Sequence, residues 1–325
     1  MKIFIVGGTG FIGYYSTLEF LKRGHQVDTI SLPDIPLGDW FPKDKVGVKY
    51  GNVFDMKHDE LVELFKGYDA MVYAVGPDDR VIPKVPAYEF FHERLVEACS
   101  RVVEGARDAC VKRCAICNSF FCYFDRTMPE LKLAKHHPYI KCRVEQAERC
   151  ISAGSDKMDI MILELPYIFG TMPEREPLWK EIFVKRIQKM KKKIYFFKGG
   201  TVMMSVERVA ESIVGAIERG KGGKRYPCGD ECVTWKIWLE WIMEAMGMKK
   251  KILILPRFFG TIYGATQRRK DKKEGKEAGM NHRRLFKDIQ CRLLCYDPTP
   301  TCEELGISRG GLKESVIETI KRSLT

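Results

Sequence analysis

The chain has 325 residues, which is long enough for one large α/β domain and a smaller appended lobe, each with its own hydrophobic core. Its formal net charge is +12. No stretch of about twenty apolar residues occurs, which excludes a transmembrane helix. The first residues read as a strand and a glycine turn rather than as a signal peptide, so we expect a cytoplasmic protein.

Strand-like and helix-like segments alternate through the first half of the chain. Apolar runs lie near residues 2–6, 26–31, 46–50, 69–75, 113–118 and 159–164. Apolar residues recur at helical spacing at 88–109 and 139–153. This βαβ pattern predicts an α/β fold with a doubly wound parallel sheet of the Rossmann type and a small C-terminal α/β lobe.

The first predicted strand ends in closely spaced glycines. Ile3-Phe4-Ile5-Val6 leads into Gly7-Gly8-Thr9-Gly10-Phe11-Ile12-Gly13, and the residues that follow read as a helix. Glycines allow backbone N–H groups to approach an anion, and a helix N-terminus adds positive potential. The turn therefore predicts a dinucleotide site, although a tight strand-to-helix turn that binds nothing has the same local pattern.

The glycine spacing resembles that of the extended short-chain dehydrogenase/reductases, the group that contains NAD-dependent epimerases and dehydratases of nucleotide sugars. Tyr50-Gly51-Asn52-Val53, Val75-Gly76 and Leu163–Gly170 are similar to later elements of that family, although Glu164 stands where an Arg is usual. The resemblance implies NAD(P) contacts at Gly7, Thr9, Gly10, Phe11, Ile12, Gly13, Ser31, Asn52, Val53, Val75, Gly76, Tyr139, Arg143, Pro166 and Ile168.

Tyr139 and Arg143 are the candidate catalytic pair. They are four residues apart and so share one helix face, where a cation favours tyrosinate over the neutral phenol. The segment resembles the family's Y-x-x-x-K, with Arg143 in place of the lysine. Ser119, four residues before Tyr123, matches the family's third catalytic residue, which donates a hydrogen bond to the reacting oxygen. A Tyr–Arg pair on a solvated helix is the alternative interpretation.

The end of the second strand bears on the choice of cofactor. Ser31 stands where an acid would bind the ribose 2′-hydroxyl and repel a 2′-phosphate, which favours NADP slightly. Asp34, close by in the sequence, would act in the opposite direction. Asp78, Arg80, Tyr123 and Arg175 follow strand ends and are the candidate substrate residues. Surface ion pairs are an equally good interpretation of the two arginines.

Positive charge is concentrated between residues 249 and 287, where thirteen Lys or Arg stand against three acids. A solvated, mobile loop explains this run, and so does a site for a phosphate-bearing substrate or an anionic surface. We find no stacking or groove-reading motif, which argues against nucleic acid. The twelve scattered cysteines predict reduced thiols. Cys114 and Cys117 lie in an apparent strand, where residues three apart point to opposite faces, so we expect no metal site.

The sequence therefore predicts an NAD(P)-dependent oxidoreductase that acts on a hydroxyl or carbonyl group, within an epimerase or dehydratase cycle on a nucleotide-sugar-like substrate. The alternative is an NADP-binding protein with little or no turnover that binds RNA, an anionic surface or a protein. We place the dinucleotide-binding domain at 1–165, with later segments returning to it, and the substrate lobe mainly at 166–325. Apolar residues on more than one face of the helices at 88–109 and 139–153, together with the resemblance, predict a homodimer.

Overall fold

A seven-stranded parallel sheet forms the centre of the computed structural model, which describes residues 1–33 and 36–324. Its strands in chain order are β1 (Lys2–Val6), β2 (Gln26–Ser31), β3 (Val46–Tyr50), β4 (Ala70–Tyr73), β5 (Arg113–Ser119), β6 (Asp159–Leu165) and, later, β10 (Arg225–Pro227). The spatial order is β3-β2-β1-β4-β5-β6-β10, with every pairing parallel. The order reverses between β1 and β4, which is where ligands bind in such sheets.

Helices cover both faces of this sheet. Those of the first half are α1 (Phe11–Lys22), α2 (His58–Phe65), α3 (Ala87–Phe91), α4 (Ala98–Asp108), α5 (Phe121–Thr127), α6 (Leu133–His136) and α7 (Pro138–Gly154). A π-helical turn at His92–Glu97 joins α3 to α4, so the helix predicted at 88–109 is continuous but not uniform. The α/β fold and its strand order confirm the fold class predicted from the sequence.

Alternate residues of β1 explain the two cores. Ile3 and Ile5 lie in one apolar cluster, which α1 shares with a later helix, and Phe4 and Val6 lie in another with α2 and α4. In the same way Cys117 belongs to the first cluster and Cys114 to the second, so the two thiols point to opposite faces of β5, as predicted. Residues 1–33 and 36–324 contain no group of three or more His, Cys, Asp or Glu suited to a metal ion.

The second half adds a smaller lobe. Its strands are β7 (Tyr167–Phe169), β8 (Lys193–Phe197), β9 (Gly200–Ser205), β11 (Glu231–Thr234), β12 (Lys251–Leu255) and β13 (Leu293–Leu294). Its helices are α8 (Lys185–Lys189), α10 (Trp235–Ala245), α11 (Arg257–Lys273), α12 (His282–Leu285) and α14 (Leu312–Arg322). Two further helices of this half, α9 (Val206–Arg219) and α13 (Thr299–Leu305), pack with α1 in the first apolar cluster of the parallel sheet. Strands β7, β11 and β13 pair with β9, and β8 pairs with β12. None of the described helices is long and apolar enough to cross a membrane.

Two expectations for this lobe are wrong. Cys232 and Cys295 form a disulfide, although the scattered cysteines predict reduced thiols throughout. The partners are 63 residues apart, and only the tertiary fold brings them together. The basic segment 249–287 is not a loop, because it folds into β12, α11 and α12.

Candidate active site

The glycine turn closes tightly between β1 and α1. Gly7 has φ +92°, and a Cβ there would overlap the Val75 side chain. A Cβ at Gly13 would overlap the carbonyl oxygen of Gly7, so the first turn of α1 lies directly against the strand end. Gly10 N–H donates to the Gly7 carbonyl at 3.0 Å. Side chains at these glycine positions would fill the space around the turn. With glycines there, the backbone of the turn stays accessible at the start of α1, which fits the pyrophosphate of NAD(P).

The end of β2 braces the turn. Thr9 Oγ1 donates to Ser31 Oγ at 3.0 Å, and both side chains are buried. The structure thus brings together two of the residues predicted to contact the cofactor. Asp34 lies outside the described residues. Asn52 forms a local turn beyond β3, where its Nδ2 donates to Asp55 and its Oδ1 accepts from the Phe54 N–H, while Val53 is buried in the core.

A cavity of about 1320 Å³ opens between the carboxyl ends of the strands and the second lobe. Many of the predicted cofactor and catalytic residues line it. These are Phe11 and Ile12 of the glycine turn, Val75, Gly76, Ser119, Tyr139, Arg143, Pro166 and Ile168. The other predicted cofactor residues, Gly7, Thr9, Gly10, Gly13, Ser31, Asn52 and Val53, are not among the described residues that line this cavity. The second lobe contributes apolar rings, including Trp179, Phe183 and Phe259. The cavity is therefore large enough for a dinucleotide end and a substrate together.

Tyr139 and Arg143 face each other inside this cavity. Arg143 Nε donates to Tyr139 Oη at 3.0 Å, and the two residues are 5% and 8% exposed. The pair is therefore not a solvated surface contact. Arg143 Nη1 also donates to Gln146 Oε1 at 2.9 Å and to the Cys117 carbonyl at 3.3 Å, which fixes the guanidinium in place.

Two buried amides, Asn118 and Gln146, hold Arg143 in place, and the sequence analysis did not predict either of them. Asn118, at the end of β5, donates through Nδ2 to the Arg143 carbonyl at 3.0 Å and to Gln146 Oε1 at 3.1 Å. Both amides are buried. Gln146 lies three residues beyond Arg143 on the same face of α7, and this spacing is the only sequence signal that could have identified it.

Burial governs the ionisation of Tyr139. It raises the pKa of the phenol to about 12, although the Arg143 guanidinium acts to lower it. Arg143 thus acts on the phenol in the predicted direction, towards tyrosinate, but desolvation of the ring outweighs the nearby charge, so the net pKa rises. Near neutral pH the Tyr139 hydroxyl is protonated and is placed to donate a proton.

Ser119 ends β5 as predicted and lines the same cavity. Its N–H donates to Asn118 Oδ1 at 2.6 Å, and its Oγ accepts from the Phe121 N–H at 3.4 Å. The long Oγ contact uses an acceptor lone pair, which leaves the hydroxyl proton available for an oxygen in the cavity.

The loop after β4 carries three charged residues that line the cavity. Arg80 Nε donates to Asp78 Oδ1 at 2.9 Å. Burial opposes ionisation of Asp78, but the hydrogen bonds from Arg80 hold its pKa below the ordinary value. Burial, followed by repulsion from Asp78, raises the pKa of Asp79 to about 6. Asp79 was not among the predicted site residues.

Of the other two candidate substrate residues, one lines the cavity and one does not. Arg175 lines the cavity. Tyr123 packs its ring on Tyr296, with centroids 4.7 Å apart, and is absent from the cavity lining among the described residues. Glu164 is fully buried and accepts two hydrogen bonds from Arg126, at 2.8 and 3.0 Å. The acid that replaces the family's usual arginine is thus half of an ion pair.

Comparison with known proteins agrees with this geometry. The model of the NAD dependent epimerase/dehydratase family matches residues 3–229. The chain belongs to this family. Its members are NAD-dependent enzymes of the short-chain dehydrogenase type, and the match covers the glycine turn, Ser119 and the Tyr139–Arg143 pair.

The individual proteins that resemble this chain share little sequence identity with it or match only part of it. Eugenol synthase 2 from Clarkia breweri is 35% identical over 82 residues, which are 23% of this chain and 26% of that enzyme. The match thus spans about a quarter of the length of that relative. The structure of gox2253 superimposes with a TM-score of 0.79 at 17% identity, covering 98% of this chain and 96% of the other. UDP-glucuronic acid 4-epimerase from Bacillus cereus, in complex with NAD, gives 0.67 at 12% identity, with full coverage of both chains. At these identities the structures establish the fold alone.

Proposed function

We propose that the protein catalyses NAD(P)-dependent oxidation and reduction at a hydroxyl or carbonyl carbon of a nucleotide-sugar-like substrate. The observation that carries the proposal is the buried Tyr139 Oη–Arg143 Nε contact of 3.0 Å in a cavity that Ser119 and residues next to the glycine turn also line. A nicotinamide cofactor, when bound, supplies or accepts the hydride.

The protein's own residues move the proton and hold the oxygen. In the reducing direction Ser119 Oγ donates a hydrogen bond to the carbonyl oxygen of the substrate. Tyr139 Oη transfers its proton to that oxygen as the carbon accepts a hydride, which yields an alcohol and a tyrosinate. The Arg143 guanidinium stabilises the tyrosinate until solvent restores the proton. The oxidising direction reverses each transfer.

The nucleotide-sugar part of the proposal rests on charge and on a relative. Arg175, Arg186 and Lys189 line the cavity on the side of the second lobe, where cations suit a diphosphate. The Bacillus cereus structure of the same fold is a UDP-sugar epimerase. We propose a modest preference for NADP over NAD, because Ser31 has no charge to repel a 2′-phosphate.

A homodimer and a cytoplasmic location remain predictions. Arg149 of α7 forms an ion pair with Glu97 of the π-helical turn that precedes α4, and the large exposed apolar side chains of the described chain lie outside α4 and α7. Light scattering at micromolar concentration distinguishes twice the monomer mass from a monomer.

Replacement of Tyr139 by phenylalanine tests the mechanism. Tyr139→Phe keeps the ring but removes the proton, so we expect turnover of a UDP-sugar panel with NAD(P) to fall about 10²–10⁴-fold. Calorimetry should show that the variant still binds the cofactor. The control is Tyr123→Phe, which alters a tyrosine outside the cavity lining and should leave turnover unchanged.

Arg143→Lys restores the residue that the family pattern has at this position. In a working enzyme adapted to arginine, the shorter ammonium loses the contacts to Gln146 and the Cys117 carbonyl, and turnover should stay level or fall. Full activity in Tyr139→Phe would exclude the mechanism. No turnover in the wild type, together with tight cofactor binding, would support the NADP-binding protein without catalysis.

A further inference from the structure

One face of helix α11 is exposed to solvent; its first half carries apolar side chains and its second half carries cations. Gly260 and Gly264 are buried against Phe286 and His282, so the opposite side of the helix faces outward. That side presents Phe258, Ile262, Arg269 and Lys273, which we call the α11 face. Phe258 and Ile262 are 56% and 57% exposed. Two large apolar side chains and two cations thus follow one another along a single helix face.

The ribbon of β8 and β12 extends this surface. Its exposed apolar residues are Tyr195 and Ile254. Phe197 of β8 and Tyr263 of α11 both contact the ring of Phe286, which places the ribbon beside the helix. Residues 180–198 and 249–287, which we call the basic surface, contain 21 Lys or Arg against four acids, a formal charge of +17 in a chain whose total is +12.

The acids of α11 and of the residues that follow it do not neutralise the α11 face. Asp271 is buried and pairs with His282 at 2.9 Å. Glu274 pairs with Lys276 at 3.0 Å, and Glu277 accepts a hydrogen bond from the Ala87 N–H. The charges of Arg269 and Lys273 therefore remain available to an external anion.

The cavity reaches this same region. Phe259 and Tyr263, on the flank of α11, line the cavity together with Tyr195 and Leu255. All but Leu255 are at least 45% exposed to solvent. The rim of the candidate active site thus adjoins the α11 face.

We propose that the α11 face binds an anionic phospholipid surface. Exposed aromatic and aliphatic side chains beside a row of cations are the features of a helix that lies in a membrane interface, where the apolar part enters the headgroup region and the cations attract acidic lipids. A second copy of the chain is a poor partner, because a symmetric contact would bring two strongly basic surfaces together. RNA would use the cations but gives no role to the exposed Ile262.

Vesicle sedimentation with the full-length protein tests this proposal. We expect the wild type to pellet with vesicles of equimolar phosphatidylcholine and phosphatidylglycerol, and not with phosphatidylcholine alone. Phe258→Ser with Ile262→Ser should weaken the binding at least tenfold because the inserted apolar area is lost. Arg269→Gln with Lys273→Gln should weaken it on the order of tenfold or more.

Matched controls separate a specific face from general stickiness. Ile237→Ser removes an exposed apolar residue from α10, and Lys43→Gln with Lys66→Gln removes the same total charge elsewhere; both should bind within twofold of the wild type. Cofactor affinity and circular dichroism check that each variant is folded.

Four outcomes would overturn the proposal. The first two are failure of the wild type to pellet and equal binding to neutral vesicles. A third is unchanged binding by the Phe258, Ile262 double variant, which would mean that charge alone acts, as it would on RNA in a gel-shift assay. The fourth is a dimer in light scattering that this double variant dissociates, because a second copy would then cover the face.

Discussion

Helices α7 and α11 use their arginines in opposite ways. Arg143 of α7 is buried and donates to Tyr139, Gln146 and a main-chain carbonyl, so its charge is directed at groups inside the protein. Arg269 of α11 faces outward, on a helix whose one buried acid already has a partner. A buried cation is little affected by salt, whereas an exposed one is screened within about 8–10 Å at ordinary ionic strength. The comparison separates the internal charge of the proposed catalytic pair from the external charge of the proposed lipid-binding face.

Loss of the disulfide is the largest effect that we expect on this comparison. Cys232–Cys295 closes a loop that contains α11 and the whole segment 249–287. Cys232→Ser with Cys295→Ser should lower the free energy of unfolding in urea by about 3–4 kcal/mol, since the unfolded chain regains loop entropy. Cofactor affinity should change less than twofold, because the glycine turn lies in the other half.

Cys110→Ser is the control for this experiment, since Cys110 is an exposed free thiol. If cofactor affinity fell together with stability in the disulfide variant, the two halves would not be energetically separable, and the contrast between α7 and α11 would lose its basis.

The adjacent acids Asp78 and Asp79 both line the cavity, but their pKa values are shifted in opposite directions. The pKa of Asp79 is raised to about 6, so its contribution to stability is fully present below the ordinary value of 3.8 and is lost as the pH rises through 6. Asp79→Asn avoids this loss and should raise the melting temperature at pH 8 by about 2–4 °C, with the gain shrinking towards pH 4.

Asp78→Asn should have the opposite sign. Its pKa is lowered, so its stabilising pairing with Arg80 is present above 3.8 and is lost as the pH falls through the lowered value. Because the pair is partly exposed, the melting temperature at pH 8 should fall by only about 1 °C. Thermal unfolding monitored by circular dichroism between pH 4 and 8 measures both variants. Equal shifts of one sign would show that the two carboxyls do not occupy different environments.

The sequence predicts the cofactor half better than the second lobe, for local reasons. The glycine turn, the strand ends and the Tyr139–Arg143 spacing are short-range patterns, and each lies where its pattern places it. Burial is not local: the raised pKa of Tyr139 depends on rings from distant segments, such as Phe91. The partners of Glu164, Cys232 and Asn118 are likewise set by tertiary contacts. The sequence gives the number of charges between 249 and 287, but it does not show which helix face exposes them.

The smallest expected effect concerns how each half binds an anion. The glycine turn offers backbone N–H groups and the uncharged Ser31, whereas the α11 face offers cations. We expect NADPH to bind a few-fold more tightly than NADH, with weaker salt dependence than vesicle binding. Ser31→Asp places a carboxylate near the expected 2′-phosphate and should weaken NADPH about tenfold while changing NADH little. Ser31→Ala removes the hydroxyl that accepts from Thr9 and should weaken both cofactors alike. Calorimetric titration of both reduced cofactors measures these differences, and tighter binding of NADH by the wild type would reverse the assigned preference.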